Sequence, residues 1–182
     1  MFSWLFRRWS GAWLPGLVLL LLLLLLPARP ALAQDTGLIT NRNYQLKYQV
    51  PAGWQPTRLL SDSLSVLRYD SPDGTTRLWV GQLRGPAGQL PPARALRKLL
   101  RRLGATRHHE HHVSAHGLDL LESTGTCLVD GRTLRYDARV GIHQGHTVVV
   151  YVYATPENFA LQEPMLNKVL NSLTPIPGRP AP

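Results

Sequence analysis

The chain has 182 residues, a formal net charge of +9 and a single cysteine, Cys127. The lone cysteine excludes an intramolecular disulfide, so burial of apolar side chains must hold the core together, and Cys127 is expected to be buried and structural. The length suits one domain with one core. The positive balance favours anionic surfaces or acidic partners, and a solvated basic surface without a specific partner is the alternative.

The first 33 residues have the layout of a secretory signal peptide. Arg7 and Arg8 form a short basic lead, residues 17–26 form an apolar run that is nearly all leucine, and a small-x-small pattern ends at Ala33. A membrane-spanning helix needs about 20 apolar residues, and this run is shorter. We therefore expect cleavage after Ala33 and a secreted or periplasmic protein. The alternative is an uncleaved leader that anchors the N-terminus in the membrane.

The residues after the leader begin with a polar stretch, 34–43, which predicts a flexible arm ahead of a domain at 44–174. Alternation of apolar and polar residues over 44–50 predicts a half-buried strand. Segments 63–69 and 77–83 predict two further strands, which are separated by residues typical of a turn.

An amphipathic helix is predicted over residues 91–103. Leucines recur at the i, i+3, i+4 and i+7 positions of one face, from Leu96 to Leu103. Prolines at the start and Gly104 after the end are typical of helix boundaries. The opposite face carries Arg94, Arg97, Lys98, Arg101 and Arg102, and Arg107 follows the helix.

Three strands connected by hairpins are predicted next, over 118–126, 133–140 and 148–153. Residues 130–131 and 144–145 are Asp-Gly and Gln-Gly pairs, which favour tight hairpin turns. The last strand is apolar throughout, which indicates a central strand covered on both faces. The middle strand alternates, with Leu134, Tyr136, Ala138 and Val140 expected to face inward and Thr133, Arg135, Asp137 and Arg139 outward.

The chain is expected to close with a helix in two pieces. Thr155 is a good capping residue, but Pro164 would break a continuous helix, so we expect a short turn near 157–161 and a helix from Pro164. Residues 175–182 hold four prolines and a glycine, which predicts a disordered tail. The order of strands, helix, strands and helix, with consecutive hairpins, indicates an α+β domain around an antiparallel sheet.

Four short motifs lie along this domain: Tyr44 with Tyr48-Gln-Val-Pro-Ala-Gly-Trp54, then His116-Gly117, then Gln144-Gly145-His146, and finally Leu166-Asn-Lys-Val-Leu-Asn-Ser-Leu173. Together they resemble motifs of the PsbP/Mog1-like superfamily. The resemblance implies an α/β/α sandwich, with a central antiparallel sheet flanked by helices. It also implies a binding or assembly role, since members with known roles include photosystem II extrinsic subunits and a nuclear transport factor that binds a small GTPase. It carries no partner-site residues onto this chain.

All seven histidines lie between residues 108 and 146, and five of them lie within 108–116. Imidazole nitrogens bind Zn²⁺ and Cu²⁺ well. On an extended strand, alternate side chains point to opposite faces. One face would carry His108, Glu110 and His112, and the other His109 and His111, so a pair could hold one metal with a third ligand from elsewhere. The plainer interpretation is a His-rich polar edge strand or loop, of which a pH-responsive patch is a variant.

The basic helix face is the candidate partner surface, for anionic lipid headgroups or an acidic protein. Nucleic acid is not expected, because an exported protein rarely meets it. The sequence has no Gly-x-Ser-x-Gly elbow and no glycine-rich phosphate loop, which argues against an enzyme. We therefore predict an exported, non-catalytic binding or accessory module without a cofactor. A zinc or copper protein that uses the histidine cluster is the second hypothesis, and a small hydrolase is the third.

Overall fold

A computed structural model describes residues 36–177. The predicted leader and its cleavage site lie outside the described residues, as do the last residues of the predicted tail. No helix of the described part is long and apolar enough to cross a membrane. The described part includes a short 3-10 helix, Gly85–Gln89. The elements are β1 (Thr36–Asn41), β2 (Leu46–Pro51), β3 (Gln55–Ser61), β4 (Leu64–Asp70), β5 (Thr76–Leu83), α1 (Pro92–Leu103), β6 (Ala105–Ala115), β7 (Leu118–Val129), β8 (Arg132–His143), β9 (His146–Ala154), α2 (Pro156–Asn171) and β10 (Thr174–Pro175).

Seven antiparallel strands form the main sheet, in the order β3-β4-β5-β9-β8-β7-β6. β9 lies in the middle, between β5 and β8, and both faces of this strand are buried, at Val149 as well as at Val150 and Val152. This confirms the predicted central strand. A second, small sheet has the order β1-β2-β10.

The main sheet is covered on both faces. α1 packs on one face through Ala95, Leu96, Leu100 and Leu103, which form one apolar cluster with Tyr136 and other residues of the sheet. The small sheet and α2 pack on the opposite face, where the second apolar cluster lies. The arrangement confirms the predicted α+β fold with helices flanking a central antiparallel sheet. The small sheet is an addition to one of the two outer layers.

The hairpins that connect β7 to β8 and β8 to β9 have the predicted two-residue turns. Asp130 and Gly131 have φ angles of 52° and 74°, and Gln144 and Gly145 have φ angles of 50° and 74°. Two successive positive φ angles are typical of the type I′ turn, whose twist matches that of the flanking strands. Glycine at the second position supplies such an angle without steric cost.

Two strands of the small sheet, β1 and β10, come from segments that were expected to be irregular, whereas β2 is the strand predicted over 44–50. β1 pairs with one side of β2, from Thr36 opposite Pro51 to Asn41 opposite Leu46, and β10 pairs with the other side of β2. The predictions of a flexible arm at 34–43 and of a disordered tail from 175 are therefore wrong for the residues that the structure describes. Backbone hydrogen bonds hold these strands, and the only buried residue of β1 is the polar Asn41, so they leave no apolar pattern in the sequence.

α2 is one continuous helix and not the two pieces that were expected. Pro164 lies inside it. Pro164 cannot donate to the carbonyl of Ala160, but both residues are exposed, so water can satisfy that carbonyl. The predicted cap is confirmed, because the Thr155 side chain accepts a hydrogen bond from the backbone N–H of Asn158 at 3.4 Å.

The predicted outward face of β8 is exposed at Thr133, as expected, but it is buried at Asp137 and Arg139. Tyr136 and its inward neighbours face α1 as expected. Asp137 and Arg139 were expected to face solvent, yet only 5% and 6% of their surfaces are exposed. The cause is α2, which packs against this side of the strand. The guanidinium of Arg135 lies 4.5 Å from the ring centroid of Phe159 in α2.

Candidate functional site

The polar face of α1 forms a row of exposed cationic side chains, which we call the cationic ridge. The leucines of the opposite face anchor the helix on the sheet. None of the ion pairs formed within the described residues involves a residue of the ridge. Arg97 donates only to a carbonyl of its own helix, that of Ala93, at 3.3 Å. The ridge consists of Arg94, Arg97, Lys98, Arg101 and Arg102, all of which are exposed.

One flank of the ridge borders a small apolar cavity, which we call the α1 cavity. It encloses about 70 Å³ between α1, the 3-10 helix and strands β4, β5 and β9. Lys98 and Arg102 of the ridge line it together with apolar side chains. The other residues around it are Ser63, Leu64, Val66, Gly81, Leu83, Ala87, Ala95, Leu99, Val149 and Tyr151.

A row of buried and half-buried aromatic side chains extends from the α1 cavity along β5 and β9. Trp79 stacks on Tyr151, with ring centroids 5.5 Å apart, and Tyr151 stacks on Tyr153 at 6.3 Å. Burial raises the pKa of Tyr151, and the positive charge of Arg102 opposes this shift. Arg102 and Tyr151, which both line the α1 cavity, are therefore close to each other.

The other flank of the ridge faces the histidine-rich strand. Arg94, Arg97 and Arg101 border a shallow cleft that also contains His108 and Glu110 of β6. Glu110 pairs with His108 at 3.6 Å. Glu110 is the one acidic side chain that lines this cleft, and it pairs with His108 and not with an arginine.

The histidine-rich segment forms β6, an edge strand of the main sheet, as the plainer interpretation predicted. The strand register separates the two predicted sets, with His111 opposite Glu122 and His112 opposite Leu121. His111 Nε2 lies 2.5 Å from Glu122 Oε2. Within the described part of the chain, no three His, Cys, Asp or Glu side chains come together as metal ligands. A histidine pair of β6 therefore has no third ligand among the described residues. This applies to the predicted metal ligands His108, His109, Glu110, His111 and His112.

Behind this edge lies a buried ionic network that was not predicted. Arg139 donates to Glu122 Oε1 from Nε at 2.7 Å and to Asn171 Oδ1 from a terminal nitrogen at 2.8 Å. Its Nε lies 3.7 Å from Asp137 Oδ1, which is buried and accepts no hydrogen bond from the described residues. Burial and the Glu122 carboxylate raise the pKa of Asp137 to about 7, although Arg139 opposes the shift. The network joins β6, β7, β8 and α2.

Cys127 is buried beneath α1, as predicted. Burial raises the pKa of its thiol to about 11. Because the thiolate is the nucleophilic form, the side chain is unreactive near neutral pH. A thiol-based hydrolase is therefore not supported by the geometry.

Comparison with known proteins gives the fold but no close relative. No family model matches the chain, and no curated protein sequence is significantly similar to it. Among solved structures, cyanobacterial PsbP (CyanoP) from Synechocystis sp. PCC 6803 superposes with a TM-score of 0.60 and 11% identity, covering 78% of this chain and 93% of that one. LpqN of Mycobacterium tuberculosis, which is involved in cell envelope biogenesis, superposes with a TM-score of 0.51 and 14% identity, covering 80% and 92%.

A protein of unknown function from Pseudomonas aeruginosa, PA94, superposes with a TM-score of 0.51 and 15% identity, covering 79% of this chain and 99% of that one. These similarities confirm the PsbP-like fold that the sequence motifs implied. At such low identity they establish the fold alone, because one fold serves many functions.

Proposed function

We infer that this protein is an exported, non-catalytic binding or accessory module, which holds an acidic protein partner on the cationic ridge. The observation that carries this proposal is the ridge itself. Five exposed cationic side chains lie on one helical face, and within the described residues none of them has an ion-pair partner. A face of this kind attracts anionic partners at long range.

The spacing of the ridge charges supports a binding role over a structural one. Arg94 and Lys98 are four residues apart, as are Arg97 and Arg101. Like charges at this spacing destabilise a helix by about 0.2–0.5 kcal/mol per pair. The ridge therefore costs the free protein stability, and a partner that supplies carboxylates would remove that cost.

Export and the accessory role have independent support. The leader sequence favours export, and LpqN, one of the structures with this fold, is involved in cell envelope biogenesis. The buried, protonated thiol of Cys127 supports a non-catalytic protein. An anionic membrane surface is the competing partner.

The test compares two double charge reversals in the purified protein. Arg97→Glu with Arg101→Glu changes the ridge, and Arg58→Glu with Arg132→Glu makes the same change of net charge at exposed positions away from it. The probe is a fluorescent oligoglutamate peptide, and binding is measured by anisotropy at about 20 mM and about 150 mM NaCl. We expect binding by the wild type that weakens with salt, because the screening length of exposed charges falls from about 20 Å at the lower NaCl concentration to about 8 Å at the higher one.

The ridge variant is expected to lose most of the binding and the control variant to keep most of it. Equal losses in both variants would mean that net charge alone holds the peptide, which would overturn the assignment to the ridge. Binding to vesicles of phosphatidylglycerol, without binding to the peptide, would assign the ridge to a membrane surface instead.

A further inference from the structure

We propose that the α1 cavity is an anchor pocket, which takes one apolar side chain of the acidic partner segment while neighbouring carboxylates of that segment lie on the cationic ridge. The inference rests on the proposed function, because the ridge supplies the charge that selects the partner. It adds a second requirement, an apolar residue next to acidic ones.

The walls of the cavity are suited to an apolar group. Leu64 and Val66 come from β4, Leu83 from β5, Val149 from β9 and Leu99 from α1. Their side chains converge between the helix and the sheet, so an apolar side chain that entered would exchange water for contacts on several sides. Burial of this kind is the main source of binding energy at protein interfaces, where a few anchors in well-packed pockets dominate.

The volume decides which group can enter. About 70 Å³ is several times the space that one water molecule needs, about 10–15 Å³, and about half of an apolar cavity of about 150 Å³ that admits benzene. Pockets for whole small-molecule ligands are larger, roughly 300–1,000 Å³. The α1 cavity therefore fits an aliphatic side chain and is too small for a nucleotide, a sugar or a lipid chain.

The cavity borders the ridge. Lys98 and Arg102 border the cavity and lie four residues apart on the same face of α1. A side chain in the cavity would thus have its neighbours in the peptide within reach of two cationic groups. The complementary sequence is an apolar residue flanked by aspartate or glutamate.

The shape of this surface favours a protein segment over a membrane. A helix that inserts into a bilayer presents apolar side chains that project outward on one face, with cationic ones beside them. The large apolar side chains that are strongly exposed in the described residues lie elsewhere than on α1. At α1 the apolar surface is concave, so it receives a group that projects from the partner. The strongly exposed side chains are Leu38, Leu59, Leu60, Leu128, Ile142 and Leu161.

The experiment uses two peptides of equal charge, an oligoglutamate with one central leucine and the same peptide with serine in its place. We expect the purified protein to bind the leucine peptide about tenfold or more tightly, the effect of burying one aliphatic side chain. Ala87→Leu, which places an apolar side chain in the cavity, is expected to remove this preference and leave the affinity for the serine peptide unchanged. Circular dichroism verifies that the variant is folded.

A measurement on the wild type keeps the proposal testable if Ala87→Leu does not fold. In ¹³C-methyl NMR spectra, the methyl signals of Leu64, Val66, Leu99 and Val149 are expected to shift with the leucine peptide and not with the serine peptide. Equal affinity for both peptides would overturn the anchor pocket while leaving the ridge as the partner site. If the reversal of Arg97 and Arg101 abolishes binding but the wild type does not prefer the leucine peptide to the serine peptide, the anchor pocket is likewise overturned and the ridge remains the partner site. Methyl shifts caused by phosphatidylglycerol vesicles and by neither peptide would also overturn it.

Discussion

Replacement of Asp137 by asparagine is expected to stabilise the protein at neutral and higher pH. The carboxyl of Asp137 is buried between β8 and α2, beside the Glu122 carboxylate, and its pKa is raised to about 7. In the unfolded chain an aspartate has a pKa of about 3.9. The folded protein therefore binds more protons than the unfolded chain between these values, and this group lowers the stability as pH rises from about 4 to about 7.

The size of the effect follows from the two pKa values. A difference of about three units corresponds to about 4 kcal/mol when the group is fully ionised in both states. Relaxation of the surrounding side chains reduces what is measured, so we expect Asp137→Asn to be more stable than the wild type by about 1–3 kcal/mol near pH 8. Near pH 4 the two proteins should be alike, because the protonated carboxyl and the amide are both neutral.

The assay is urea unfolding of the wild type and the variant between about pH 4 and about pH 8. Glu122, Arg139 and His111 belong to the same network and are present in both proteins, so the comparison isolates the replacement of the Asp137 carboxyl. Asp119→Asn is the control, since Asp119 is exposed and forms none of the ion pairs among the described residues. A variant that is less stable than the wild type at every pH, or one whose advantage grows toward acid, would refute the reasoning.

Three further predictions concern single buried or helical features. Arg139→Met leaves two buried carboxylates without their cation and should reduce the free energy of unfolding by about 3–5 kcal/mol in urea titrations; a loss below about 1 kcal/mol would show that the network is solvated. Pro164→Ala restores the backbone donor to the carbonyl of Ala160 and should increase the free energy of unfolding by about 1–3 kcal/mol, which a higher thermal midpoint would show. A lower midpoint would mean that the proline stabilises α2. Cys127 should react with an aromatic disulfide reagent far more slowly in the native protein than in urea, because its thiol is buried and its pKa is about 11; equal rates would contradict the burial.

The elements that could be predicted from the sequence are those whose pattern is local. The leucine spacing of α1 and the apolar run of β9 each report one buried surface, and the structure has both. β1, β3 and β10 could not be found in this way, because they are held by backbone pairing and carry few buried apolar side chains. Pro56 inside β3 also argues against a strand, although proline is tolerated at a sheet edge.

The buried network was within reach of the sequence, but only through register. A two-residue turn at 130–131 pairs Val129 with Arg132, and counting back along both strands places Glu122 opposite Arg139. The turn at 116–117 likewise places His111 opposite Glu122. Burial of this face could not be inferred, because it depends on where α2 packs. The ridge was visible in the sequence of α1, whereas the α1 cavity was not, since its walls come from separate strands and both helical segments before β6.

The stability of α1 determines how the ridge experiments should be interpreted. Leu96, Leu100 and Leu103 are almost fully buried, and each contributes about 1.5–3 kcal/mol, whereas a like-charge pair on the ridge costs about 0.2–0.5 kcal/mol. The leucines therefore hold the helix in place with or without the repulsion. Reversing both Arg97 and Arg101 keeps them a like-charge pair, but each new glutamate lies three residues from an opposite charge, that of Arg94 or Lys98. A glutamate at 101 is unfavourable in the last turn of the helix, so these small effects oppose each other and the unfolding midpoint of that variant should stay close to that of the wild type. Loss of peptide binding in such a variant reports on the surface of α1, because the fold beneath it is unchanged.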